Sequence, residues 1–159
     1  MPIVATSGSK LFIGGVLDPK DEDFVAADFA SQSWTRVNNM EGLGTLGDTS
    51  TEITFDDIGK GRTQKLKGTR NAGNQEVVCG IDYADPGQIA VIAAEKTIHD
   101  YAFKIEFNDA PVGGTPSHRM YIAKVMSAAE ALETANNVMK LNITLGINSN
   151  IVHVSAAGA

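Results

Sequence analysis

The chain has 159 residues, 43% hydrophobic and 20% charged, the balance of a folded domain and not of a disordered one. Thirteen Lys and Arg against 19 Asp and Glu give a net charge of -6, the opposite of what a free-standing duplex-DNA binder needs to meet phosphates. The single cysteine, Cys79, excludes an intramolecular disulfide and a cysteine-based zinc site within one chain. The length suits one domain, 1–159. Sixteen glycines with one Trp and three Tyr predict many turns and short strands, a mainly β protein.

In chain order, Met1, Pro2, Ile3 and Val4 form neither a basic leader nor an apolar span, so the expectation is a chain made in the cytoplasm and not held in a membrane. Leu11 and Ile13 open the first period-two run. Residues 18–23 are a polar turn rich in acids. Residues 41–75 contain seven glycines and few large apolar groups, and Lys60, Arg62, Lys65, Lys67 and Arg70 follow one another with no acid between them. Asp56 and Asp57 stand just before them, and Ile53 with Phe55 keeps the strand period. Read alone, this long polar loop is a solvated hairpin; a loop of this length in a compact domain otherwise carries a function or is disordered.

Val77, Cys79 and Ile81 again alternate. Asp85, Pro86 and Gln88 then supply an N-cap acid, a first-turn proline and a glutamine at the third position, predicting a helix over about 86–97. Ile89, Ile92 and Ala93 mark its expected apolar face. Tyr101, Phe103, Ile105 and Phe107 alternate with Ala102, Lys104 and Glu106, predicting a half-buried strand. Met120 with Ile122 gives another. Residues 128–135 have helix-forming composition, but their shortness and flanking strands predict a connecting loop. Met139, Leu141, Ile143 and Leu145 complete the strands.

The chemistry-bearing motifs fail in context. Gly42, Gly44 and Gly47 match the letters of a dinucleotide fingerprint, yet a polar link and a strand follow them where a helix must open. His99, His118 and His153 are too scattered for a local metal motif. The acids from Asp18 lack the glycine and terminal glutamate of a calcium loop. The acceptor triplet at Asn142 and Thr144 lies inside a predicted strand. No nucleophile sits in an activating context, so the reading is of no enzyme, no metal and no cofactor.

The order of elements resembles the tail tube proteins of long-tailed bacteriophages, a family similar to the tubes of contractile tails and type VI secretion. Four pieces carry the likeness: Leu11 to Gly14; Ser33, Trp34 and Val37; the polar hairpin with Asp56, Asp57, Lys65 and Lys67; and the helix start at Asp85 leading to Tyr101. Closing strands over 120–125 and 138–145 complete the order. The resemblance implies a β-sandwich or barrel-like core with one flanking helix, assembled as hexameric rings stacked into a hollow tube that passes DNA without specific binding. It also implies a virion location, with terminator, tape measure and distal tail proteins as partners, and inter-ring roles for the arm 1–10, the loop 41–75 and the tail 155–159. In that setting Asp56, Asp57, Lys60, Arg62, Lys65, Lys67 and Arg70 are the candidate inter-subunit contacts. The acids Asp18, Asp21, Glu22 and Asp23 are candidate complements, and the net negative charge predicts an electronegative lumen.

Overall fold

The period-two runs become an antiparallel sheet in the computed structural model, which describes residues 3–158. Its strands are β1 (Lys10–Val16), β2 (Thr35–Val37), β3 (Met40–Gly42), β6 (Asn74–Gly80), β7 (Tyr101–Glu106), β8 (His118–Ala131), β9 (Lys140–Ile147) and β10 (Val152–Val154). They lie in the order β2, β1, β7, β8, β9, β6, β3, with β10 paired to β8. β4 (Thr49–Asp57) and β5 (Arg62–Asn71) stand apart as a two-stranded sheet. The described residues are thus mainly β with one α-helix, as expected, and the sheet is not a closed barrel.

The two outermost strands of the large sheet, β2 and β3, are neighbours in the chain, separated only by Asn38 and Asn39. The sheet must therefore curl until its edges nearly meet. Asn39 takes a positive φ of 62° at this link, a conformation Asn tolerates better than most residues. The helix α1 (Pro86–Glu95) packs at the seam, against β8, β2 and β1. Gly87 makes this approach possible, because a Cβ there would run into the Arg36 carbonyl and the Val37 Cα.

Asp85 caps α1, accepting the Gln88 amide at 3.1 Å. It also accepts the Asn38 backbone amide at 3.1 Å and the Asn38 side-chain amide. Burial opposes its ionisation, but the hydrogen bonds from Asn38 and Gln88 outweigh that and hold the carboxyl below its ordinary range. Gln88 donates to Asn38 O at 3.1 Å and Gly80 O at 2.8 Å, and accepts from Asp82 N at 3.0 Å. The cap therefore does more than start a helix: it satisfies backbone groups that the open seam leaves without ladder partners.

The face of α1 that enters the core is Gly87, Gln88, Val91 and Ala94, not the face centred on Ile89 and Ala93. Ile89 is 52% exposed and Ile92 is half-buried. Inside the curl, Leu11, Ile13, Val77, Cys79, Phe103, Ile105, Tyr121, Leu141, Ile143 and Leu145 form the main core. Burial pushes the Cys79 thiol up to about 11, assisted by the nearby Asp85, so this cysteine is a packing group. The other side of β7 and β8 carries a smaller core of Phe24, Phe29, Ala102, Met120, Ile122 and Val152. β7 is consequently covered on both faces, and Ala102 is as buried as Phe103.

β8 runs to Ala131, so residues 128–131 are strand and not the expected connecting loop. Their pairing with β9, from Ala128↔Ile143 to Ala131↔Lys140, overrides the helix preference of alanine. A shift of register between Val125 and Ser127 bends the strand there.

Candidate functional site

The polar stretch 41–75 supplies most of β3, the start of β6 and, between them, the separate hairpin β4–β5. Its turn is built by Asp57: the Oδ1 atom accepts Gly59 N at 2.8 Å, and its carbonyl accepts Gly61 N at 2.9 Å. Gly61 has a φ of 59°, a conformation that glycine adopts freely. The strands then pair Asp57↔Arg62, Asp56↔Thr63, Phe55↔Gln64, Thr54↔Lys65, Ile53↔Leu66 and Glu52↔Lys67.

Directly opposed residues of an antiparallel pair project to the same side, so the hairpin has two unlike faces. One carries Glu52, Lys67, Lys65, Asp56 and Thr63. The other carries Ile53, Leu66 and Phe55, which are 47%, 59% and 59% exposed, with Gln64 opposite Phe55 and the Asp57↔Arg62 pair at its turn end. Ile58 at the turn is fully exposed. An isolated two-stranded hairpin is marginal in water, and this one has an apolar face with no core beneath it among the described residues.

The candidate contact residues do not share one role. Asp57 shapes the turn, and Asp56 accepts the Thr63 hydroxyl at 2.6 Å. Lys65 pairs with Glu52 at 3.4 Å and Arg70 with Asp48 at 2.8 Å, both within the chain. Lys60, Arg62 and Lys67 make no ion pair among the described residues. The sequence points to these charges as the contact chemistry; the structure adds the apolar face, whose sequence signal is the Ile53 and Phe55 alternation once Leu66 is set opposite it. The hairpin also differs in charge from the body. Residues 49–71 hold five of the 13 basic and three of the 19 acidic residues, leaving 8 and 16 elsewhere.

Two further surfaces are open. Beyond Ala123, β8 pairs only with β9, so its other edge, over 124–131, has no strand against it among the described residues. A cleft of about 300 Å³ lies between the arm, at Val4 and Thr6, and Leu43, Leu46, Ile105 and Phe107. Of the acidic turn, Asp18, Asp21, Glu22 and Asp23 are all exposed, and Lys20 pairs with Asp28 at 2.8 Å. Residues 1, 2 and 159 of the expected arm and tail lie outside the described residues. Among the described residues no cluster of three His, Cys, Asp or Glu is placed to hold a metal, and no helix is long and apolar enough to cross a membrane.

No protein-family model matches the chain, and no curated protein matches its sequence. Its fold has clear counterparts. It is similar to the sheath/tube terminator of an extracellular contractile injection system, PVC, with a TM-score of 0.68 and 14% identity over 98% of this chain and 99% of that one. A chain of the anti-feeding prophage baseplate gives a TM-score of 0.70 and 13% identity over 98% of each. The SPP1 tail tube protein gives 0.64 and 14%, over 96% of this chain and 80% of that one. The chain therefore has the tail tube fold, and none of these likenesses is to an enzyme.

Proposed function

We propose that this chain is a structural subunit of a phage-type tail, assembling as stacked hexameric rings into a hollow tube through which DNA is delivered. The carrying observation is the β4–β5 hairpin, whose exposed apolar face has no partner among the described residues. A second copy is the occupant that fits. The hairpin carries a charge of +2, the remainder of the chain -8, and unlike charge on two parts of one molecule favours head-to-tail contact between copies. Such heterologous contacts extend into open arrays when the operator does not close, which stacking requires. Ring closure has its own surface in the free edge of β8, since an unpaired strand edge is a template for another chain.

The fold likeness supports this reading along almost the whole chain, and the baseplate counterpart comes from a sixfold-symmetrised assembly. The candidate partners are other copies of the chain and, at the tube ends and lumen, terminator, distal tail and tape measure proteins. The location is the virion tail, following assembly in the host cytoplasm.

The competing reading is a tube terminator, favoured because this chain and the PVC terminator cover each other almost completely. Contractile and type VI-like tubes share the same physical argument. Electron microscopy and sedimentation of the purified protein separate the outcomes. Tubes that lengthen with concentration support the tube subunit, single rings that do not stack support the terminator, and a monomer at every concentration and salt overturns both.

A further inference from the structure

β10 is joined to the sheet by only three pairs, Val152↔Met120, His153↔Arg119 and Val154↔His118. The residues after it add Thr115 N to Ala157 O at 2.8 Å, Ala157 N to Thr115 O at 3.1 Å, and Ala156 N to Ser117 Oγ at 3.0 Å. Two of the three histidines lie in this junction. His118 occupies a cross-strand row that reads Lys10, Glu106, His118, Val154. Its Nδ1 is buried and has no hydrogen-bond partner; the Glu106 carboxylate is 3.9 Å away, too far for a hydrogen bond. A buried ring nitrogen left without a partner needs a reason.

The charged surroundings supply one. Around His118 stand Lys104 and Glu106 on β7 and Asp109 in the loop after β7, with Lys10 on β1 farther along the row beyond Glu106, while Arg119, next along β8, projects to the opposite face. His153, opposite Arg119, is the only titratable group on β10, and the Arg119 guanidinium is itself held over the Phe107 ring at 4.9 Å. We propose that β10 and residues 155–158 form an acid-released latch, closed while His118 and His153 are neutral and opened when they take up protons.

Burial, then Lys104, holds His118 below its ordinary range, with Glu106 and Asp109 acting against that shift. His153 is exposed, and its lowering comes from partial desolvation at the sheet surface and then from Arg119 opposite it. A base with a depressed value in the closed state binds protons better in the open one. The latch is therefore fully held above the ordinary histidine value of about 6.5 and weakens as pH falls through and below it. Opening removes Val152 from its packing on Phe24, Phe29, Met120 and Ile122. It also bares the edge of β8 at 118–120, giving the subunit at acid pH an unpaired strand edge that it lacks at neutral pH.

Amide exchange followed by NMR on the full chain at pH 7.5 and 5.5, corrected for intrinsic chemistry, tests this. The expected result is a loss of protection at pH 5.5 for Val154 and Ala157 while Leu141, Ile143 and Leu145 on β9 stay protected. The double variant His118→Gln, His153→Gln should keep β10 protected at pH 5.5. Glu106→Gln, which removes the carboxylate in the row of His118, should move the loss to higher pH. Equal protection at both pH values, simultaneous loss in β9 and β10, or a double variant that releases β10 as wild type does, each overturns the latch. A Glu106→Gln loss that stays in place or moves to lower pH does the same.

Discussion

The curled sheet and the β4–β5 hairpin share one sequence pattern and meet opposite fates. In β7, Phe103 and Ile105 alternate with Lys104 and end up buried, between the inner faces of other strands. In β4, Ile53 and Phe55 alternate with Thr54 in the same way and remain about half exposed. Period two says only that a strand has a dry side and a wet side. What dries the apolar side is a matter of tertiary or quaternary structure, so a strand whose dry side stays wet in one copy points to a second copy.

The sharpest way to break this comparison is to truncate one phenylalanine from each region. Phe103→Ala, in the body, should cost about 3–5 kcal/mol by leaving a cavity beside Tyr121, whose ring stacks on Phe103 with centroids 6.1 Å apart. Phe55→Ala should change the stability of the free subunit by no more than about 0.5 kcal/mol, as expected of an exposed site, yet abolish stacking. Thermal melts of both variants, alongside electron microscopy, check this. Equal destabilisation by both would place the hairpin in the fold of the monomer and remove the argument for a partner.

A smaller effect belongs to the seam. Asp85→Ala should lose at least the roughly 1–2 kcal/mol of a strong helix cap, because Asn38 is stripped of its acceptor as well. The pH dependence follows from its lowered value: the stabilisation is present above the unfolded carboxylate value of about 3.9 and lost as pH falls through the lower folded value. Wild type and Asp85→Ala should therefore converge in melting temperature only below about pH 4; a gap that closes between pH 7 and 5 contradicts the assignment.

How much of this was legible follows the range of the interactions. Asp85, Pro86 and Gln88 announce the helix start because a cap is a local device, complete within four residues. The buried face of α1 was not legible, since polar Gln88 goes inside to serve Gly80 and Asn38, and Ile89 is left out. Apolar periodicity has no means of registering that exchange. The strand character of 128–131 was hidden for a similar reason, as alanines become strand there only through the long ladder to β9. In the hairpin, five cations with no acid between them dominate the sequence pattern. Leu66 stands alone between two lysines, and only the register Ile53↔Leu66 turns it into part of an apolar face.

The smallest expected effect is that of the charges themselves. Lys65 and Lys67 project from the opposite side of the hairpin to Phe55, and Lys65 already has Glu52 as a partner. Exposed pairs of this kind contribute about 0–1 kcal/mol, so Lys65→Glu with Lys67→Glu should leave the fold intact. Its effect on assembly discriminates between the two faces. If the apolar face makes the contact, the double variant should assemble more slowly, through weakened attraction to the acidic body, while reaching nearly the same tubes. Salt should act likewise, slowing association by screening without dissolving what has formed, because apolar burial is not screened. Light scattering of wild type and double variant from low to high salt measures both. Tubes that dissolve as salt rises, or a double variant that never polymerises, would return the contact to the lysines and leave the face of Ile53, Phe55 and Leu66 without an occupant.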